Sequence, residues 1–416
     1  MKFLLVVLGT HGDVLPFLAL GSELLQRGHD VALSAPAPFA EHAAQAGLSF
    51  HALGTQADFD RLVREPHLWH PRRGVATAFE YALAFAEDTF RWIEANRTEP
   101  CVVLASPGSL GARIAQDRFG LPLVTVHVMP LLIESRYAPP RLPGLPLPSF
   151  LPARFRHWLG RGAYQYFLDP RVLPRLNAFR CRLDLPSVRR LRHWWNSPTR
   201  MLLMFPDWYA PPQPDWPSQA VQVGFPLADR FGDARTLSPE LAAFLDAGEP
   251  PLVFTYGSGM RQGRAFFETA VSICRQLGRR GVFLAPQDEQ VPADLPVVIL
   301  HQPYAPFSAL LPRSAALIHH GGVGTVAQGL AAGIPQLVVP VAFDHFDEGQ
   351  RLQRLGVGAM LSRRRFSARR AAAELRRLLL DPKVAHACAA AKARVASEHG
   401  LQAAGDAVER LWEAAR

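Results

Sequence analysis

The apolar run Ala316-Leu317-Ile318 ends in His319-His320-Gly321-Gly322-Val323-Gly324-Thr325, and a helix-forming segment begins at once. A short apolar run, a glycine-rich turn and a helix in that order belong to a parallel α/β sheet, where each helix carries the chain back to the next strand. The order recurs. An apolar strand over 3–8 leads through a loop, 9–16, into a helix whose Phe17, Leu20 and Leu24 share one face with Leu18 and Leu25 beside them. Gly28-His29 ends that helix and a strand over 31–34 follows. Further strands are expected at 101–105 and 123–128, either side of a helix over 109–119. From residue 250 the pattern predicts strands at 252–255, 281–285, 297–300, 315–318 and 336–339. Helices are expected at 264–278, 307–312 and 324–332, with a helical tail from 367. The fold class is therefore α/β, in two similar halves joined near 217–238.

A chain of 416 residues is too long for one ordinary core and suits two domains of roughly 200 residues each. Residues 135–220 are rich in proline, arginine and tryptophan and read as irregular segments and short helices. Seven of the eight tryptophans lie at or before Trp216, which points a greasy substrate to the first half. Net charge is +9, yet only Lys2, Lys383 and Lys392 are lysines, a bias better explained by base composition than by nucleic-acid binding. A weak pull toward phosphates or an anionic membrane surface remains. Arg363-Arg364-Arg365, Arg369-Arg370 and Arg376-Arg377 read as a solvated helix face that would rest on anionic lipid if the acceptor were membrane-borne. Met1 to Leu8 lacks a cleavage site and reads as a buried strand, and no run approaches the ~18 apolar residues of a membrane span. Cys101, Cys181, Cys274 and Cys388 have neither metal nor redox spacing, so a reducing cytoplasm is expected. No Gly-x-Gly-x-x-Gly follows either first strand and no acid ends the second (Ser34-Ala35-Pro36), so a dehydrogenase lacks its fingerprint. No Walker loop, no Gly-x-Ser-x-Gly elbow and no acidic pair for a metal-held pyrophosphate occurs.

The chemistry gathers at strand ends. At 319–325 unpaired helix N–H groups and the helix dipole suit a phosphate, and glycines allow close approach. A histidine adds a donor where a pyrophosphate leaving group develops charge. A ligand-free turn is the bland alternative, and two histidines with three glycines outweigh it. Gly257 and Ser258 can add phosphate donors, Tyr304 can stack on a nucleobase, and backbone groups near Ala305 can bond its edge. Asp344 and His345 follow the next strand on the same rim and suit sugar hydroxyls, while Asp347 reads as a helix cap. In the first half, His11 and Asp13 offer proton acceptors in the loop Gly9 to Pro16, and Asp13 can also cap a helix begun near Pro16.

On these residues the chain resembles, over nearly its whole length, the GT-B glycosyltransferases of family 1, which include antibiotic, sterol and plant natural-product enzymes. The resemblance implies two Rossmann-like domains facing each other across a cleft: 1–217 for the acceptor and 218–398 for the nucleotide sugar. A helix over 399–416, carrying Leu411 and Trp412, would cross back to the first domain. It implies an inverting transfer without metal or cofactor, the nucleotide-diphosphate sugar being a co-substrate. Asp13 matches the general base of members with Gly-Asp-Val-x-Pro, with His11 as second choice. His319 matches the pyrophosphate histidine, beside Gly321, Gly322, Gly324 and Thr325; Ser258 matches a phosphate-contacting serine and Tyr304 the base-stacking aromatic. Asp344 and His345 match an Asp-Gln pair that holds sugar hydroxyls. Two departures, His345 for Gln and Ala327-Gln328 near a usual ribose-binding Glu, leave the sugar and the choice of dTDP or UDP open. Within the family, Glu65-Pro66-His67-Leu68-Trp69, the segment Phe205 to Gln213 and Val223-Gly224-Phe225-Pro226-Leu227 look most like the rhamnosyltransferase catalytic subunit of rhamnolipid synthesis. That narrower likeness implies dTDP-L-rhamnose, a 3-(3-hydroxyalkanoyloxy)alkanoic acid as acceptor, and a cytoplasmic enzyme peripheral to the inner membrane, with no nucleic-acid partner. The alternatives are a UDP-glucose-dependent glucosyltransferase for a sterol, macrolide or flavonoid, and a non-catalytic sugar-nucleotide-binding subunit.

Overall fold

Strands buried on both faces must be apolar along their length, and the first strands of both halves are: Phe3 to Val6 and Leu252 to Phe254 are wholly buried. The computed structural model describes every residue except Glu99, Pro146, Ser149 and 414–416. The first sheet contains β1 (Lys2–Val6), β2 (Asp30–Pro36), β3 (Ser49–Leu53), β4 (Cys101–Ala105), β5 (Leu123–His127), β6 (Arg200–Leu203) and β7 (Ala220–Gln222). The second contains β8 (Leu252–Thr255), β9 (Gly281–Leu284), β10 (Ile299–Gln302), β11 (Ala316–His319), β12 (Gln336–Val338) and β13 (Gly358–Met360). Their orders are β3-β2-β1-β4-β5-β6-β7 and β10-β9-β8-β11-β12-β13. All pairings are parallel, as between β1 and β4 or β8 and β11. Helices cover the sheets, so each is a Rossmann-like α/β layer structure.

The chain forms two units, Met1–Pro226 together with the segment from His399, and Leu227–Glu398. β7 belongs to the first sheet, so the first unit runs past residue 217 to Pro226. Within that unit the last helix, Gly400–Glu413, packs on the first helix, His11–Gln26. Arg27 joins them, donating to Asp406 and Glu409 at 2.7 Å each while its Nε bonds Glu23 at 3.0 Å. Leu411 is buried in this contact; the side chain of Trp412 lies outside the described residues.

Several elements depart from expectation for local reasons. The first helix starts at His11, with Pro16 inside it, rather than near Pro16. The missing proline N–H forgoes only one bond, to the carbonyl of an exposed Gly12. Residues 135–220 are more regular than their composition suggests, holding the helices Ala153–Phe167 and Asp169–Cys181 and the strand β6. Pro170 stands in a first turn, where an N–H has no intrahelical acceptor, so it does not interrupt the second of these. β10 begins at Ile299 because Val297 and Val298 are exposed ahead of the sheet. Among the described residues no helix is long and apolar enough to cross a membrane.

Candidate active site

Strand order reverses once in each sheet, at β1/β4 and at β8/β11. Ligands of open α/β sheets sit beyond the carboxyl ends of the strands at such a reversal. In the second unit His319 is registered against Thr255, so the turn at 320–322 runs beside the turn at 256–258. In the first unit the segment 7–10 lies beside Ser106–Ser109, tied by Ser106 N–H to Val6 C=O at 3.0 Å.

The ring of His320 fills the space between the two turns of the second unit. Gly257 has φ +92°, and a Cβ there would stand 3.1 Å from that ring; one on Gly322 would stand 2.6 Å from Nε2. Only glycine admits the histidine. His320 is 8% exposed, and its Nδ1 is buried without a hydrogen-bond partner. Burial pushes its pKa down to about 4, so it is neutral near pH 7. His345 meets it edge to face, with ring centroids 4.7 Å apart. His319 differs. It is 0% exposed and its Nδ1 accepts the Gly321 N–H at 3.2 Å. Burial, then the neighbouring His320, depress it to about 3, against an opposing contact from Gln336. Of the adjacent pair, His319 Nδ1 accepts the Gly321 N–H while its Nε2, like Nδ1 of His320, is buried without a hydrogen-bond partner, and the His320 ring lies against the Gly257 turn.

The helix Val323–Ala332 opens directly after this turn. Its first intrahelical bond closes from Val326 N–H to Gly322 C=O at 3.0 Å. The N–H groups of Gly324 and Thr325 therefore precede any intrahelical acceptor, with Gly324 exposed and Thr325 half-buried. Val323 N–H is taken by Asp344 Oδ2 at 3.3 Å. Asp344 is itself the N-cap residue of the helix His345–Leu355, its carbonyl accepting Asp347 N–H at 2.8 Å and Glu348 N–H at 2.9 Å. The cap expected of Asp347 thus falls to Asp344, and the Asp347 carboxylate bonds Arg351 at 2.8 Å instead. His345 Nδ1 accepts Ala342 N–H at 3.2 Å and Val341 N–H at 3.4 Å, and its Nε2 is 3.9 Å from Asp344 Oδ1. Burial, reinforced by His320 and His319, holds His345 well below the usual histidine range. Both residues are 4% exposed, and the polar contacts named here lie within the second unit.

Elsewhere in this unit Ser258 is half-buried and Ala305 buried. Tyr304 is held by its hydroxyl end: the hydroxyl donates to Asp229 C=O at 3.4 Å, and a Cβ on Gly232 would overlap it. Burial raises the phenol above its ordinary pKa.

In the first unit Asp13 stands in the first turn of helix His11–Gln26, where Thr10 N–H donates to Oδ2 at 2.9 Å. Gly9, at φ +139°, lies so close that any side chain would overlap the carboxylate. Burial pushes the carboxyl up to about 6, the Thr10 bond pulling the other way. His11 is half-buried and packs edge to face on Phe39 and His42, at centroid distances of 5.0 and 5.7 Å. Across the reversal Ser109 Oγ donates to Val6 C=O at 3.0 Å and lies 2.8 Å from Ser106 Oγ. Gly9 and His320 stand out only in the structure; the sequence places one in the loop 9–16 and the other beside His319.

Two Rossmann-like parallel sheets, each with polar groups at its reversal, match the architecture of GT-B glycosyltransferases. Residues 3–137 match the glycosyltransferase family 28 N-terminal domain. Residues 282–408 match the erythromycin biosynthesis protein CIII-like C-terminal domain. The O-mycaminosyltylonolide 6-deoxyallosyltransferase of Streptomyces fradiae is 32% identical over 436 aligned residues, covering 99% of this chain and 98% of that protein. The vancomycin aglycone glucosyltransferase of Amycolatopsis orientalis is 31% identical, covering 86% and 85%. The glycotransferase of kitacinnamycin shares the fold at TM-score 0.76 and 21% identity, covering 99% of each chain. The spinosyn rhamnosyltransferase SpnG complexed with thymidine diphosphate does so at 0.69 and 19%, covering 99% and 100%. The chain belongs to the GT-B glycosyltransferases and is an enzyme that uses a nucleotide-sugar donor. The narrower likeness to the rhamnolipid enzyme gains no support from these relatives.

Proposed function

We propose that this enzyme transfers a sugar from a thymidine-diphosphate donor to a hydroxyl of a macrolide-like natural-product aglycone, with inversion and without a metal. The observation that carries the acceptor class is the 32% identity, over 99% of the chain, to a transferase whose name specifies a tylonolide acceptor. Support for the donor is thinner and comes from the fold neighbour solved with thymidine diphosphate.

In this reading the diphosphate is bound by the N–H groups of Gly324 and Thr325, by Ser258 and by the neutral imidazole of His320. Asp344 holds the end of that helix through Val323 N–H, and with His345 it backs the sugar. Tyr304 and Ala305 serve the base. Asp13 removes the proton of the acceptor hydroxyl. The oxygen attacks the anomeric carbon, the bond from that carbon to the diphosphate oxygen breaks, and the nucleoside diphosphate leaves with the negative charge. The two sets of residues belong to different units, and turnover requires them to act on one pair of substrates.

The base must be deprotonated, so lowering the pH removes it. With the Asp13 carboxyl raised to about 6, kcat/KM should rise with pH and reach half its plateau near that value. An acid limb centred near the ordinary aspartate value, ~4, would show that the carboxyl is not raised. The substrate assignment is tested by incubating the enzyme with dTDP-L-rhamnose, dTDP-glucose and UDP-glucose, each with a macrolide aglycone and with a 3-(3-hydroxyalkanoyloxy)alkanoic acid. Products are read by mass, with and without EDTA. Transfer from a thymidine-diphosphate sugar to the macrolide, unchanged by EDTA, is expected. Transfer only to the lipid acceptor would reinstate the rhamnolipid-type reading drawn from the motifs at 65–69 and 205–213. Donor binding without transfer to either acceptor would favour a non-catalytic sugar-nucleotide-binding subunit.

A further inference from the structure

Every exposed aromatic side chain among the described residues falls in one stretch of the first unit: Tyr137, Phe150, Phe155, Trp158, Tyr166 and Phe167. Four of them are more than half exposed, from 64% for Phe167 to 84% for Phe150. The helix Ala153–Phe167 buries only Gly160 fully. Phe155, Trp158, Gly162 and Tyr166 recur along one side of it at helical spacing, and the first two rings stack at 6.0 Å. Nothing lies within 4 Å of a Cβ built on Gly162, so that side is open. Folded chains seldom leave so contiguous an apolar surface in water unless something covers it.

Charge says what covers it. From Ser135 to Leu168 there is no aspartate or glutamate, while arginine stands at 136, 141, 154, 156 and 161. Arg154 is exposed, and the side chains of Arg136 and Arg161 are 55% and 54% exposed. The acids near these last two lie outside the stretch: Asp215 is 3.9 Å from Arg136 and Glu134 is 3.8 Å from Arg161. Tryptophan and tyrosine suit a layer that is apolar on one side and wet on the other. Arginines flanking such rings suit anionic headgroups, as in helices that lie in the membrane interface. A second copy of the chain fits poorly, because a two-fold contact would set one arginine-rich face against itself. We propose that this face, centred on Phe155, Trp158 and Tyr166, docks on an anionic phospholipid bilayer, with the helix lying in the headgroup layer. The proposal does not depend on which sugar or aglycone the enzyme uses.

The test is co-sedimentation of the full chain with phosphatidylcholine vesicles containing one quarter phosphatidylglycerol, and with phosphatidylcholine alone, at low and high salt. Binding is expected to the anionic vesicles at low salt and to weaken at high salt. The combined variant Phe155→Ser, Trp158→Ser and Tyr166→Ser, whose side chains are exposed, should fold normally and lose at least about tenfold in partitioning. Leu380→Ser, an exposed apolar site in the second unit, should change nothing. Arg154→Gln with Arg161→Gln should weaken binding to the anionic vesicles. Four results would overturn the proposal. One is that the anionic vesicles pellet no protein, and another that the triple variant binds as wild type while its acceptor KM rises. The others are an equal loss in Leu380→Ser and a dimer in sedimentation velocity that the triple variant dissolves.

Discussion

Asp13→Asn should lower kcat by about 10²–10⁴-fold while leaving the affinity for thymidine diphosphate unchanged. The substitution keeps shape and an oxygen able to accept the Thr10 N–H, so the first turn of helix His11–Gln26 should persist. What it removes is the ability to take a proton. That ability rests on the surroundings of the carboxylate: burial raises it to about 6, close enough to neutrality for a base that must also release its proton. Donor affinity should hold because the groups proposed to bind the donor belong to the second unit. Single-turnover rates with a saturating donor and calorimetric titration of the diphosphate separate the two effects. A variant turning over near the wild-type rate would remove Asp13 from the chemistry, and His11→Ala would be the next substitution to make.

The second large effect should separate two adjacent histidines. His320→Ala should weaken thymidine-diphosphate binding and lower kcat together, by about 10²–10³-fold in kcat, the usual cost of losing one donor to a developing oxyanion. His319→Ala should act first on stability, because it empties a 0% exposed site and strands the Gly321 N–H. The cost should be about 2–4 kcal/mol in urea unfolding. His320→Asn, which retains a polar side chain, should recover part of the binding lost in His320→Ala. If His319→Ala stays folded and loses the diphosphate while His320→Ala binds it normally, the roles are reversed.

Much of this enzyme is legible one segment at a time. β4 falls at the expected 101–105, and the strands at 252–255, 281–284 and 316–319 lie within a residue of expectation. Each is a short apolar run bounded by glycine or proline, a signal that needs no distant partner. β3, β6, β7 and β13 lie outside the expected strands, and β3 and β13 carry no uninterrupted apolar run that marks them apart from their flanks. The helix Ala153–Phe167 was hidden by the prolines before it and by a face it never buries.

The phosphate-suited turn at 319–325, the acid that follows β1 and the doubly α/β layout were determined by the sequence alone, since apolar runs, glycine turns and helix starts depend on near neighbours. Tertiary structure decided which histidine meets the Gly257 turn. Both follow the same apolar run, and only the approach of β8 to β11 distinguishes them. It also joined Asp344 to Val323 N–H across 21 residues and lifted the Asp13 carboxyl by burying it. Burial and long-range hydrogen bonds are sums over neighbours that the fold assembles, so a residue's identity states what chemistry it can do and its surroundings state whether it does it.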